Sequence, residues 1–225
     1  MDNFFSKNSL QFSEMLDADS EFIPLLSLEE EQLWAEEKIP SSLPVLPLRN
    51  MVLFPGVVMP ITVNREKSIK LVRDVYKKNK IIAVVSQKDA EIEEPVFDDL
   101  YKVGTFANIL KVLQMPDGST TVIIQGKKRL ELLTLINAEP YFQCEVEAFD
   151  KPSKHKSDQQ FKALIATITD LALQIVKLSP NIPTEASFAL QNIDSPVFLI
   201  NFIASNLNIS NTQKQELLEM VSLQD

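Results

Sequence analysis

The residue types that do chemistry are sparse in this chain, and their spacing assembles no reaction centre. Nucleotide hydrolysis needs a glycine-rich loop whose backbone N–H groups cradle phosphates, followed by Lys and Ser or Thr. Only four glycines occur in 225 residues, and the one Gly-Lys pair, Gly126-Lys127, is followed by Lys128 and has no glycine five residues before it. One histidine, His155, lies among lysines in "DKPSKHKSDQQ", and no nucleophile-elbow sequence accompanies it. The single cysteine, Cys144, excludes an internal disulfide and, with a single histidine, gives no cluster for a transition metal. The alternation of "YFQCEVEAF" places Cys144 with Phe142, Val146 and Ala148 on one strand face, so it reads as core. Serines and lysines are numerous enough for a Ser/Lys dyad, but no context singles out a pair.

Charged clusters give equally little. Glu93-Glu94 and Asp98-Asp99 flank "PVF"; a glycosidase needs two acids facing each other across a cleft, and adjacent acids in a proline-containing loop point apart. Lys127-Lys128-Arg129 is a compact basic triplet, but alternation in a strand sends its side chains to different faces. The net charge of −9 sits in a leader: residues 1–40 hold ten acids against two bases, and residues 41–225 hold twenty-one acids and twenty bases. A nearly neutral body with an acidic leader disfavours nucleic acid as a partner. RNA binding on a bent barrel would rest on fold analogy and the basic triplet alone.

The elements that frame these residues are mainly strands, then helices. Residues 1–40 read as an acidic, largely flexible arm, in which "FIPLLSLEEEQLWAEE" offers a helical turn or two through Phe22, Leu25, Leu28 and Trp34. Residues 41–150 form a β-rich unit. "IIAVVSQ" is a buried-type strand, and "KVGTFANILKVLQM" pairs with "STTVIIQG" across a hairpin at Asp117-Gly118. One helix interrupts, with Asn64 as expected N-cap and Ile69, Val72, Val75 and Tyr76 as its apolar stripe. Pro44 and Pro47 suggest an edge strand, Pro55-Gly56 a turn, and Pro60 an edge or bulge. A strongly bent sheet or partly open barrel is expected.

Residues 151–160 read as a linker and residues 161–225 as a helical bundle. In the first helix Phe161, Ile168 and Ile175 fall seven apart, as do Leu164, Leu171 and Leu178, which predicts bundle core. A second helix is expected over Thr184 to about Asn192, a third with Ser195 as cap and Pro196 at its first position, and a fourth from Asn211 to the end. No membrane span or secretory signal is indicated, so a cytoplasmic location is expected.

The blocks "LPVLPLRNMVLFPGVVMPITV", "REKSIKLV", "DLYKVGTFANILKV", "TVIIQGKKRLELL", "PYFQCEVE" and "FLINFIASNLNISNTQKQELLE", in this order, resemble the N-terminal domain of the Lon ATP-dependent proteases. The resemblance covers residues 41–222. It departs at Asn201, where many Lon sequences carry Asp. It implies an α+β fold, a PUA-like pseudo-barrel with one helix followed by a helical bundle. It also implies a non-catalytic module that captures unfolded or damaged proteins and supports a homo-hexamer. The family's AAA+ ATPase and serine protease modules, with ATP and magnesium, belong to regions outside these 225 residues, so no catalytic residue, cofactor or metal site carries over. Clients share hydrophobicity rather than sequence, which calls for an apolar, adaptable surface. Met51, Val52, Leu53, Phe54, Met59 and Met115 are the candidates for it. The alternative is a stand-alone adaptor; "LLEMVSLQD", read as a helix without a cap, favours a piece of a longer protein.

Overall fold

The computed structural model describes residues 28–115, 118–149, 159–178 and 190–221. Its elements are α1 (Leu28–Glu36), β1 (Ser42–Leu48), β2 (Val58–Val63), α2 (Glu66–Tyr76), β3 (Ile81–Ser86), β4 (Val103–Gln114), β5 (Thr120–Asn137), β6 (Gln143–Ala148), α3 (Gln159–Leu178), α4 (Pro196–Asn206) and α5 (Asn211–Glu219). The fold is mixed α+β around one six-stranded sheet in the order β2–β5–β4–β3–β1–β6. β6 also pairs with β5, so five strands close into a ring and β2 extends it.

β5 makes the closure possible. Its 18 residues extend about 60 Å at the usual rise per residue. Its first part pairs with β2 and the distal part of β4, and its last part with β6. Among the described strands β1 and β3 are the parallel pair, joined by a crossover that includes α2. α2 begins one residue later than its sequence suggests. Arg65, not Asn64, is the N-cap, and it makes no side-chain cap bond. Leu71, Val72 and Val75 of α2 are buried against Leu46, Leu48, Ile82, Val84, Ala107, Ile109, Val122 and Ile124.

β1 is not the edge strand its two prolines suggest. It lies between β3 and β6, but each neighbour covers half of it: β6 pairs with residues 42–44 and β3 with residues 45–48. Val45 N–H donates to Phe142 O on the β6 side, and Leu48 O accepts from Gln87 N–H on the β3 side. Alternation then turns the Pro44 nitrogen toward β3 before that ladder begins, and the Pro47 nitrogen toward β6 after that ladder has ended. Each missing donor falls where no partner stands. Pro60 lies on β2, which pairs with β5 on one side only, as an edge proline requires.

The connection between β1 and β2 turns at Pro55-Gly56, closed by Val57 N–H donating to Phe54 O. Gly56 has φ +82, and a Cβ there would lie 2.4 Å from the Phe198 ring. Gly56 and Gly126 exchange bonds between the connection and β5: Gly56 N–H donates to Gly126 O, and Gly126 N–H donates to Val57 O.

The helical part departs from a bundle among the described residues. α4 and α5 meet each other, and α5 lies against β4. In α3 only Phe161 is buried, and Leu164, Leu171, Ile175 and Leu178 are exposed. A seven-residue repeat says which side chains share a face but not what covers them. α3 also starts at Gln159, inside the expected linker; residues 150–158, with His155, and most of the expected second helix lie outside the described residues. The caps of α4 and α5 follow the sequence: Ser195 Oγ accepts from Phe198 N–H, and Ser210 and Gln213 form a capping box. α5 ends at Glu219 with Met220 extended, earlier than the sequence suggests.

Candidate functional site

The six candidate residues do not form one surface. Val52, Leu53 and Phe54 are buried, Phe54 to 1% exposure. Leu53 enters the core under α2, while Val52 and Phe54 join Val57, Val103, Ala204 and Leu218 in a cluster between the barrel and the last two helices. Their backbone is fixed too: Ser86 Oγ donates to Met51 O and Thr105 Oγ1 to Leu53 O. These three side chains therefore close the fold and are not offered to solvent. Met51 and Met59 are half-buried against the same clusters. Met115 is half-buried at the β4–β5 turn, where Gly118 N–H donates to Met115 O and Gly118 has φ +85.

Apolar surface comes instead from β-bulges. β4 has an extra residue between Ile109 and Lys111, and β5 has extra residues between Leu132 and Thr134 and between Leu135 and Asn137. The extra residues are Leu110, Leu133 and Ile136, exposed to 43%, 44% and 46%. A bulge re-aims the inserted side chain and unpairs its backbone. In each case the preceding apolar residue, Ile109, Leu132 or Leu135, keeps the inward position. Leu113, half-buried, pairs with Thr121, and Lys111 with Ile123, which extends the surface near Leu110. The sequence signal was incomplete: the doublets Ile109-Leu110, Leu132-Leu133 and Leu135-Ile136 resemble Val45-Leu46 and Ile123-Ile124, whose members are all buried because both faces of those strands are covered.

A fourth bulge explains the basic triplet. Phe106 pairs with Lys128 and Ala107 with Gly126, so Lys127 is the extra residue. Simple alternation therefore fails here, and Lys127 and Lys128 reach the same helix. Lys127 Nζ lies 2.6 Å from Glu37 Oε2 and faces the Trp34 and Phe106 rings. Lys128 Nζ donates to the carbonyls of Ala35, at 2.8 Å, and Glu37. Arg129 turns to the other helix end, where it donates to Leu218 O at 2.8 Å and to Met220 O and covers the Phe149 ring. Cations placed on the last carbonyls satisfy orphan acceptors and complement the helix dipole. The triplet thus fastens the C-terminal ends of α1 and α5 to β5.

Among the described residues no group of three or more His, Cys, Asp or Glu is placed to hold a metal. Asp99 accepts from Val96 N–H within its own loop. Cys144 is fully buried, and burial pushes its thiol up to about 11. Burial also lowers Lys214, whose ammonium donates to Ser205 O. Among the described residues no helix is long and apolar enough to cross a membrane.

The family model for the ATP-dependent protease La (LON) substrate-binding domain matches residues 42–225. The chain belongs to that family. The Lon protease of Flavobacterium johnsoniae is 50% identical over 209 residues, covering 93% of this chain and 26% of that protein. The Lon protease of Cytophaga hutchinsonii is 46% identical over 206 residues, covering 91% of this chain and 25% of that protein. This Lon domain thus spans about a quarter of the length of the curated relatives it matches. Its fold is that of the N-terminal domain of a Mycobacterium avium complex Lon protease, with TM-score 0.66 at 20% identity over 81% of this chain and 92% of the other. The Lon N-terminal domain protein from Xanthomonas campestris gives a TM-score of 0.58 at 20% identity, with the same coverage of both chains.

Proposed function

We propose that this domain recognises unfolded or damaged proteins for an ATP-dependent Lon serine protease and presents them to ATPase and protease modules of the same parent chain. The observation that carries this reading is the outward placement of Leu110, Leu133 and Ile136 by three separate bulges. A folded client buries its apolar residues; an unfolded one offers them to such exposed side chains, at Leu110 and, further along β5, at Leu133 and Ile136, and removes both from water, at about 25 cal/mol per Å². The half-buried Met115 adds an adaptable side chain beside the turn. The PUA-like description fits the closed ring of five strands, and the exposed stripe of α3 is suited to complete a bundle when the parent assembles, as a homo-hexamer, in the cytoplasm. In the parent the chemistry belongs to ATP, magnesium and a serine nucleophile, none of which this domain has to supply.

The test is the affinity of the chain for a carboxymethylated, permanently unfolded protein. The triple variant L110S/L133S/I136S should bind at least about tenfold more weakly, a loss of 1.4 kcal/mol or more, with an unchanged circular dichroism spectrum. Unchanged affinity in a folded triple variant refutes the reading.

A further inference from the structure

The β2–β5–β4 extension has an open side. β3 accompanies β4 from Val84↔Thr105 to Ile81↔Asn108, and Ile109 N–H still reaches Lys80 O. Beyond that point, among the described residues, no strand pairs with β4 residues 110–114 on the side away from β5. The hairpin end fixes which backbone groups face outward. Met115 N–H donates to Ser119 O and Met115 O accepts from Gly118 N–H, so Met115 faces β5. Alternation along an antiparallel strand then turns Leu113 and Lys111 toward β5 and Val112 and Gln114 away from it. Val112 and Gln114 therefore turn two N–H donors and two carbonyl acceptors to a side where, among the described residues, no strand receives them. Leu110 and Leu113 flank them, and exposed lysines stand at Lys111 on the strand and at Lys80, whose carbonyl accepts the last bond from β4 before the open stretch.

Extended backbone is the chemistry that satisfies such an edge, since its own N–H and C=O groups match the spacing of the ladder. A second copy of the domain is disfavoured, because pairing edge to edge brings two sets of these lysines together. Acidic residues beside an apolar extended segment meet the same lysines favourably. We propose that the open edge of β4 at Val112 and Gln114 takes up an extended, apolar client segment with acidic flanks as an added strand. This rests on the substrate-recognition reading and names how the client is held. Main-chain pairing provides sequence-tolerant capture, which a quality-control module requires.

The test uses the 225-residue chain and a peptide of roughly nine residues, alternating valine and threonine with glutamates at both ends. Amide hydrogen exchange at Val112 and Gln114 should slow about tenfold or more at saturating peptide. N-methylation of alternate peptide residues should weaken binding about tenfold, as should Gln114→Pro, which removes an outward donor and leaves the inward ladder intact. Replacing the glutamates by lysines should weaken it further at low salt. The edge assignment is overturned if the peptide binds without protecting these two amides, or if the N-methylated peptide binds equally well. Protection without peptide, in a dimer seen by light scattering, would make a second copy the occupant and also overturn it. Binding of carboxymethylated protein without protection at these amides rejects the edge but leaves recognition standing. If neither peptide nor unfolded protein binds, the recognition reading itself fails.

Discussion

Phe54 touches the barrel and the helices that follow it at once, and its ring has almost no contact with water. Phe54→Ala should therefore cost about 3 to 5 kcal/mol of stability, read from the urea midpoint, because the cavity opens between two parts of the fold. The stretch around it looked equally suited to core and to client binding, since an apolar residue type does not record which side of a chain it lies on. Burial of Cys144 gives a second prediction at this scale. With its folded pKa raised to about 11, the unfolded thiol ionises first, so stability falls as pH rises from about 9 to 11 and is unaffected below that window. The stability advantage of the wild type over Cys144→Ala should shrink by about 2 kcal/mol across this window. An advantage that stays constant in denaturant titrations at both ends would show that the thiol titrates alike in both states.

At the scale of the element, the existence of the strands and helices that the described residues contain was legible and strand register was not. Alternation in "YFQCEVEAF" holds through Phe142, Cys144 and Val146, with Ala148 exposed at the strand end, and the hairpin at Gly118 forms, because each is local. The bulges at Leu110, Lys127, Leu133 and Ile136 depend on how many residues the partner strand supplies, a long-range fact that no single strand contains. The apolar doublets were an incomplete clue. The same bulge at Lys127 reassigned the basic triplet from a split patch to a pair of helix caps. Arg129→Ala should leave the last carbonyls of α5 without their protein donor and cost about 1 to 2 kcal/mol, with faster amide exchange in that helix. Replacing Lys127 and Lys128 by methionine should instead release α1, read as earlier proteolysis between Glu29 and Lys38 with the barrel still folded. Intact protection of α1 in that variant would show that the two lysines do not hold it.

For the whole molecule, the ring of strands, the crossover that includes α2 and the two final helices share three clusters, and the β1–β2 connection enters two of them. The fold class was readable from element order and block resemblance. The position of the apolar surface was not, because the sequence marks Met51 to Phe54 as strongly as Leu110, and only closure of the sheet buries one and exposes the other. Photo-crosslinking tests the central claim directly. A benzophenone side chain at position 110, 133 or 136 should capture carboxymethylated protein, whereas the same group at Lys70, on the exposed charged face of α2, should not, and the native form of that protein should be captured at none of the four. Equal capture from position 70, or equal capture of folded and unfolded protein, would contradict the account.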